Sequence, residues 1–183
     1  MLECAQRDET LRAVELCIPR LRRFARGLVR DGQKADDLVQ DALERAVSRL
    51  HQFQPGTNMG AWLFTIARNV HINDLRKDRM VATDPASLEL VIASPPAQEG
   101  VLVMADLRAA IARMPRQMRE VMLLVGVEGL DYGEAALVLG VNVGTVKSRL
   151  SRGRDWLAHA LDPEGATRPG AARLRLSAIG RAI

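Results

Sequence analysis

The residues with the clearest chemical pattern are basic and hydroxyl side chains in one short stretch, residues 145–152. This stretch follows a turn at Gly140, and its apolar positions repeat with the spacing of one inward helix face: Val146, Leu150, Gly153 and Leu157. The remaining positions are expected to face outward near the start of that helix: Thr145, Lys147, Ser148, Arg149, Ser151 and Arg152. Donors in the N-terminal half of a helix can reach base edges and phosphates in the major groove of DNA. The pattern therefore predicts a DNA-recognition helix.

A shorter helix precedes this one and completes a helix-turn-helix pattern. Asp131 is suited to begin it and Gly140 to end it. Five apolar residues are expected to close the angle between the two helices: Ala135, Leu137, Leu139, Val141 and Val146. A solvated basic face on an ordinary helical hairpin is the alternative, but the turn, the small packing residues and the polar face coincide, which favours DNA binding. The motif alone leaves repressors, activators and recombinases open.

A second polar pattern is acidic. Asp37, Asp41, Glu44 and Arg45 lie on or near the side of a predicted helix opposite its apolar residues. Asp31 with Gly32 is expected to stop the preceding helix, and Asp36 or Asp37 is expected to cap this one. Taken alone, such a face usually means only that the helix is solvated.

A third pattern combines a turn with a basic helix. Pro55 and Gly56 indicate a loop, and the helix that follows repeats Trp62, Ile66 and Val70 on one strip. Trp62 shares this period, so it is expected in the core rather than in a ligand site. Four polar residues of this helix remain available for a ligand: Arg68, Asn69, Arg76 and Lys77.

These elements imply an all-α protein made of two small helical domains joined by a flexible linker. Of the 183 residues, 48% are hydrophobic but only 3% are aromatic, which favours helix packing over β-sandwiches. We assign residues 8–79 to a helical bundle and residues 101–161 to a helix-turn-helix domain. The segment 80–100, with three prolines, is the linker, and 162–183 is a basic tail expected to be mobile. The net charge of +4 is compatible with a nucleic-acid partner.

Other functional classes find little support. The first residues lack the apolar core of a signal peptide, and no apolar run approaches the ~20 residues that cross a bilayer. Cys4 and Cys17 have no His or Cys partners at zinc-ligand spacing, so they are expected to be reduced thiols in the cytoplasm. His51, His71 and His159 share no common spacing. We therefore expect neither enzymatic activity nor a metal or cofactor.

Two blocks of sequence resemble the σ70 family of bacterial transcription-initiation subunits. The second conserved domain of that family is resembled by two stretches, DDLVQDALERA and AWLFTIARNVHINDLRK. The fourth conserved domain is resembled by one longer stretch, MPRQMREVMLLVGVEGLDYGEAALVLGVNVGTVKSRLSRGRDWL. Their order and spacing resemble the extracytoplasmic-function (ECF) class. The stretch most similar to its EcfG group of general stress-response σ factors is HQFQPGTNMGAWLFTIARN. The resemblance covers residues 8–161, with the linker poorly matched.

The resemblance implies a role for each polar pattern. The acidic helix would bind the β′ clamp helices of RNA polymerase core through Asp37, Gln40, Asp41 and Glu44. The −10 element of promoter DNA would contact the loop and the third helix through Phe53, Asn58, Arg68, Asn69, Arg76 and Lys77. Phe53 would stack on an unpaired base and Asn69 would hydrogen-bond its edge. The −35 duplex would be read by Lys147, Ser148, Ser151 and Arg152, with Thr145 and Arg149 on phosphates.

The same resemblance implies the partners. They are RNA polymerase core, through the β′ clamp helices and the β flap, promoter DNA, and an anti-σ factor that is NepR-like if the EcfG assignment holds. No membrane insertion is expected. Gly153 departs from the alanine frequent at its position and is expected to cost about 1 kcal/mol of helix stability.

Three other functions compete with this interpretation. A σ-mimic would sequester an anti-σ factor without using DNA. A stand-alone helix-turn-helix regulator would bind duplex operators without polymerase. A metal-dependent nuclease could use Asp36, Asp37, Asp41 and Glu44, but these carboxylates lie along one helix, too collinear to enclose a metal ion.

Overall fold

The computed structural model describes residues 2–29, 31–81, 107 and 109–161. All regular structure in these residues is helical, which confirms the predicted all-α class. The first domain contains α1 (Leu2–Leu28), α2 (Gly32–Ser48), a single 3₁₀ turn (Leu50–Gln52) and α3 (Met59–Val81). In the second domain, residues 109–113 are helical and are followed by α4 (Arg116–Val121), a π-helical segment (Met122–Val127), α5 (Tyr132–Leu139) and α6 (Val143–Leu161). The first domain extends two residues further than predicted, because α3 continues through residues 80 and 81 of the predicted linker. The rest of the predicted linker, residues 82–100, and the predicted tail lie outside the described residues.

The core of the first domain is formed where α1, α2 and α3 pack against one another. Leu21, Phe24, Leu63 and Phe64 are almost completely buried there. The rings of Phe24 and Phe64 lie with centroids 4.8 Å apart at an angle of 45°, a tilted arrangement that adds to the burial of both side chains. This core fixes the outward faces of α2 and α3.

The start of α2 differs from the prediction. Asp31, rather than Asp36 or Asp37, caps the helix: its side chain accepts hydrogen bonds from the backbone N–H groups of Gln33 (2.8 Å) and Lys34 (3.2 Å). The predicted cap was wrong because α2 begins at Gly32, before the apolar repeat from which its start was predicted. Asp31 is therefore the residue next to the unpaired N–H groups of the first turn. Asp36 and Asp37 are therefore interior residues of the helix.

The helix-turn-helix has the predicted boundaries. Asp131 forms a capping box with Glu134, with bonds of 2.8 and 3.0 Å, and Gly140 ends α5 in a left-handed conformation at φ 64° that an L side chain rarely adopts. The predicted inward set of α6 is confirmed, since Val146, Leu150, Gly153 and Leu157 are its buried residues. Leu137 was assigned wrongly: its side chain is 82% exposed, because Val138 takes the inward position.

Gly153 has a packing reason that the sequence did not indicate. A Cβ atom at this position would lie 3.0 Å from Cγ and 3.2 Å from the sulfur of Met122. The missing side chain thus lets α6 lie close against the π-helical segment. This close approach offsets the helix-propensity cost expected for glycine.

The two domains pack against each other. Gly27 of α1 lies where a Cβ would collide with the side chain of Leu123 in the π-helical segment, and Leu123 is buried. Contacts also join α3 to α5. Among the described residues, no helix is both long and apolar enough to cross a membrane.

Candidate nucleic-acid interface

The four acidic-face residues of α2 are all exposed. Asp37, Gln40, Asp41 and Glu44 lie opposite the buried strip of Ala35, Leu38, Val39, Ala42 and Ala46. Within the face, the Gln40 amide nitrogen donates to a Glu44 carboxylate oxygen at 3.3 Å. Val47, 46% exposed, lies one turn further along the helix. The face is an open acidic surface with an apolar residue at its end.

The loop before α3 is tied into the fold at two points. Phe53 is half-buried, and its ring centroid lies 5.5 Å from that of Trp62, which packs at the edge of the core as predicted. Asn58 begins α3 by accepting a hydrogen bond from the backbone N–H of Ala61 at 3.2 Å. Its amide nitrogen donates to Glu134 of α5 at 2.7 Å. Asn58 therefore bridges the two domains.

The polar residues of α3 fall into two groups. Asn69, Arg76 and Lys77 are exposed. Arg68 is different, because its Nε lies 3.0 Å from Oε2 of Glu120 in α4 and its side chain is only 16% exposed. Glu120 of the second domain thus engages Arg68, one of the residues predicted to bind the −10 element.

The outward face of α6 carries the predicted donors. Lys147, Ser148, Ser151 and Arg152 are exposed, whereas Thr145 and Arg149 are half-buried. The Thr145 hydroxyl donates to the Asn142 side chain at 2.9 Å, and the Thr145 backbone N–H donates to the same oxygen at 2.7 Å. The α6 N-terminus is therefore capped by Asn142, which holds Thr145 in place.

Sequence reasoning missed two residues at this face. Asn142, at the turn, is one, although an Asn three residues before Thr145 is a recognisable cap signal. Tyr132 is the other: the Lys147 ammonium lies 5.7 Å from its ring centroid, in the range of a cation–π contact. Tyr132 therefore helps to orient Lys147 on the exposed surface.

A buried carboxylate joins the domains. The side chain of Glu128, just after the π-helical segment, has no exposed surface. It accepts from Arg23 at 2.8 and 3.0 Å and from Arg20 at 3.2 Å, and its backbone oxygen accepts from Arg20 at 2.6 Å. Both arginines belong to α1. A buried charge of this kind is tolerated only while such partners remain in place.

Two family models match the chain. Sigma-70 region 2 matches residues 13–80, and Sigma-70 region 4 matches residues 104–157. The ECF RNA polymerase sigma factor EcfG of Rhodopseudomonas palustris (strain TIE-1) is 43% identical over 87% of this chain and 87% of its own length. The chain belongs to the ECF σ factors of the σ70 family. This σ factor is also 35% identical to the ECF RNA polymerase sigma factor RpoE of Cereibacter sphaeroides, over 68% of this chain and 70% of that protein.

Solved structures resemble this σ factor over both domains. The sigma factor RpoE in complex with the anti-sigma factor NepR from Bartonella quintana matches with a TM-score of 0.77 and 37% identity, over 85% of this chain and 98% of that chain. CnrH in complex with the cytosolic domain of CnrY matches with a TM-score of 0.62 and 27% identity, over 85% and 88%. The predicted family and fold class are confirmed.

The acidic face of this σ factor is not arranged as a metal site. Among the residues that the structure describes, no group of three or more His, Cys, Asp or Glu side chains is placed to hold a metal ion. Asp36 instead faces Arg26 of α1 at 3.7 Å. Cys17 is a free thiol whose pKa is raised, first by burial and with a smaller opposing effect from Arg20. A raised pKa makes this thiol less reactive.

A histidine at the domain interface makes the stability of this σ factor depend on pH. Burial lowers the pKa of His71 below its ordinary value of 6.5, with smaller effects from Glu120 and Asp74, which raise it, and from Arg116 and Arg119, which lower it. Because the folded chain holds this imidazole neutral, its contribution is unimpaired above pH 6.5 and is lost as the pH falls through the lowered pKa.

We expect the His71 contribution to appear in urea unfolding at pH 7.5 and 5.5. The free energy of unfolding should fall with acid in the native chain and fall less in His71→Gln, which cannot gain a proton at this position. Carboxylates elsewhere titrate equally in both proteins, so they cancel in the comparison. An equal fall in the two proteins would contradict the prediction.

Proposed function

We propose that this σ factor directs RNA polymerase core to promoters by using three separate surfaces: the acidic face of α2, the α3 region and the outward face of α6. The observation that carries the proposal is the division of α6. The buried residues of α6 pack against the rest of the second domain. Four donor side chains on its other side stay open to solvent: Lys147, Ser148, Ser151 and Arg152. That division is what a major-groove recognition helix requires.

The acidic face is proposed to dock on the β′ clamp helices. Four exposed polar residues, Asp37, Gln40, Asp41 and Glu44, form a surface that can meet a basic partner without rearrangement of the core. The second domain is proposed to contact the β flap. Leu137 supports this, since a leucine that is 82% exposed on α5 offers an apolar contact on the surface of that domain.

The α3 region is proposed to hold the −10 element after the strands separate. Asn69, Arg76 and Lys77 are exposed and can contact base edges and phosphates directly. Arg68 and Asn58 are engaged by Glu120 and Glu134. For these two residues to bind DNA, the domains must separate. Phe53 must likewise leave part of its contact with Trp62 in order to stack on a base.

The −35 duplex is proposed to bind the outward face of α6. Lys147, Ser148, Ser151 and Arg152 would meet base edges, and Thr145 and Arg149 would meet phosphates. The half-buried state of Arg149 agrees with a positioning role, because a fixed side chain loses less entropy when it binds a phosphate. Thr145 must first release the hydrogen bond that its hydroxyl donates to Asn142.

Arg152 provides the direct test of this assignment. Arg152→Ala is expected to weaken binding to a −35 duplex by about 1–3 kcal/mol if the guanidinium forms a bidentate base contact. Arg154→Ala, which removes the same charge two residues further along the exposed part of α6, is the matched control. Fluorescence anisotropy with the promoter duplex measures both. Equal losses for the two variants would contradict a base contact by Arg152.

Regulation is proposed to come from a NepR-like anti-σ factor. The support is the likeness to a σ factor solved in complex with NepR, which extends over both domains. A partner that binds the paired domains would keep the α3 region covered. The general stress response is the proposed role, by analogy with the EcfG relative. The protein is proposed to act in the cytoplasm, beside the polymerase, and to contribute no catalysis of its own.

Run-off transcription with purified core polymerase tests the proposal. We expect a transcript from a promoter used by the EcfG relative only when the σ factor is added to the core polymerase. Core binding without any transcript would favour the σ-mimic. Tight operator binding with no affinity for core would favour a stand-alone regulator.

A further inference from the structure

A groove between α2 and α3 is lined by arginine side chains from both domains. Arg45 and Arg49 come from the end of α2, Arg68 and Arg76 come from α3, and Arg116 comes from α4. The groove has a volume of about 590 Å³, and Asn69 also lines it. We call it the arginine groove.

The arginine groove contains more positive than negative charge. Glu120 lies 3.0 Å from Arg68 and 3.5 Å from Arg116. In the described part of the chain, no ion pair is formed by Arg45, Arg49 or Arg76. Arg45 lies in the last turn of α2 and Arg49 is the residue that ends this helix, so the two guanidinium groups extend from the same end of it. Such an arrangement is suited to an anion from outside the chain.

Glu120 is itself incompletely paired. One of its carboxylate oxygens accepts from Arg68, but the other, Oε1, is buried without a hydrogen bond. A buried carboxylate oxygen that accepts no hydrogen bond costs free energy, and the Arg116 Nε at 3.5 Å from Oε1 compensates only part of that cost. Glu120 therefore occupies the groove less favourably than a phosphate could, because a phosphate offers more acceptor oxygens to several guanidinium groups.

We propose that the first-domain side of the arginine groove, formed by Arg45, Arg49, Arg68 and Arg76, binds the phosphodiester backbone of single-stranded DNA, and that Glu120 occupies the position of one phosphate while the domains are paired. The proposal rests on the function proposed above and adds Arg45 and Arg49 to the residues that hold the −10 strand. It also makes α2 a helix with two charged surfaces: an acidic face for the polymerase and a basic end for DNA.

The proposal implies competition within the chain. A single strand can reach Arg68 only after Glu120 has left, so strand binding and domain pairing exclude each other. Removing the Glu120 charge should therefore strengthen DNA binding, and removing the Arg45 and Arg49 charges should weaken it.

The test uses the full-length chain and a fluorescein-labelled oligothymidine of 20 nucleotides, with anisotropy measured over a range of salt concentrations. Arg45→Gln/Arg49→Gln is expected to bind about tenfold more weakly, and the slope of log affinity against log salt should fall by about 1.4, since each lost phosphate contact on a single strand contributes about 0.7. Arg12→Gln/Arg22→Gln removes the same charge from exposed positions on α1 and should leave the slope unchanged. Glu120→Gln should bind about tenfold more tightly.

Several outcomes would overturn the proposal. One is an equal slope in the groove variant and the α1 control, and another is unchanged affinity in Glu120→Gln. If the double variant unfolds, Arg49→Gln against Arg49→Lys decides, because lysine keeps the charge at an exposed position. Efficient competition by inorganic pyrophosphate, with no binding of the oligonucleotide, would assign the groove to a small anion instead and reject the proposal. If run-off transcription succeeds while these tests fail, only the groove assignment is wrong.

Discussion

Asp37→Arg is expected to abolish binding to RNA polymerase core while leaving the fold intact. The side chain is exposed at the N-terminal end of the acidic face, so the substitution disturbs no packing. Reversing its charge places two positive groups together at a contact with a basic partner, which costs several kcal/mol. A loss of about 3 kcal/mol corresponds to roughly 100-fold weaker binding. Native gel shift or surface plasmon resonance with purified core measures the effect.

Asp36→Arg is the matched control for this experiment. It makes the same charge change one residue earlier, but its carboxylate faces Arg26 of α1 in an exposed ion pair of little energetic weight. We expect core affinity within a few-fold of the native chain and similar melting temperatures for both variants. Undiminished core affinity in Asp37→Arg would remove the acidic face from the docking surface.

Arg20→Gln/Arg23→Gln is expected to separate the two domains. The substitutions leave the Glu128 carboxylate without its charged partners at a fully buried position. Breaking a buried pair in this way costs about 3–5 kcal/mol. We expect the lower end of that range, because both arginines are partly exposed. A cost of about 3 kcal/mol shifts the equilibrium toward open chains by roughly 100-fold, which small-angle X-ray scattering registers as a larger radius of gyration.

A third substitution tests whether the unpaired charge of Glu128 causes the domains to separate. Adding Glu128→Gln to the double variant removes the unpaired charge, so the radius of gyration should return toward the native value. Arg12→Gln/Arg22→Gln again serves as the control for lost charge on α1. A double variant that stays compact, or a triple variant that stays fully open, would mean that Glu128 does not govern domain pairing.

Local signals explain why much of the second domain could be predicted. The capping residue Asp131, the left-handed Gly140 and the apolar period of α6 each act over a few residues, so each is visible in the sequence. The outward donors of α6 follow from the same period. Leu137 was misplaced because α5 is only eight residues long, and a short apolar run does not show which side faces inward.

The domain interface could not be predicted in this way. Glu128 and Arg20 are 108 residues apart, and Glu120 and Arg68 are 52 residues apart. In the sequence these side chains look like the ordinary charges of solvated helix faces. Their burial depends on how the two domains meet, and no periodicity within one helix carries that information. The same reason hid the engagement of Asn58 and Arg68, which were predicted only as DNA contacts.

The π-helical segment determines which side chains of the second domain contact α1. Its wide turn is closed by a hydrogen bond of 2.9 Å from the Glu128 N–H to the Leu123 carbonyl, five residues back. Leu123 and Glu128 therefore lie about one turn apart on the same side, where one contacts Gly27 and the other Arg20 and Arg23. In a regular α-helix successive residues rotate by about 100°, so five steps would point the carboxylate away from α1. Inserting one residue into this turn would consequently misalign the two halves of the molecule without removing a single charge.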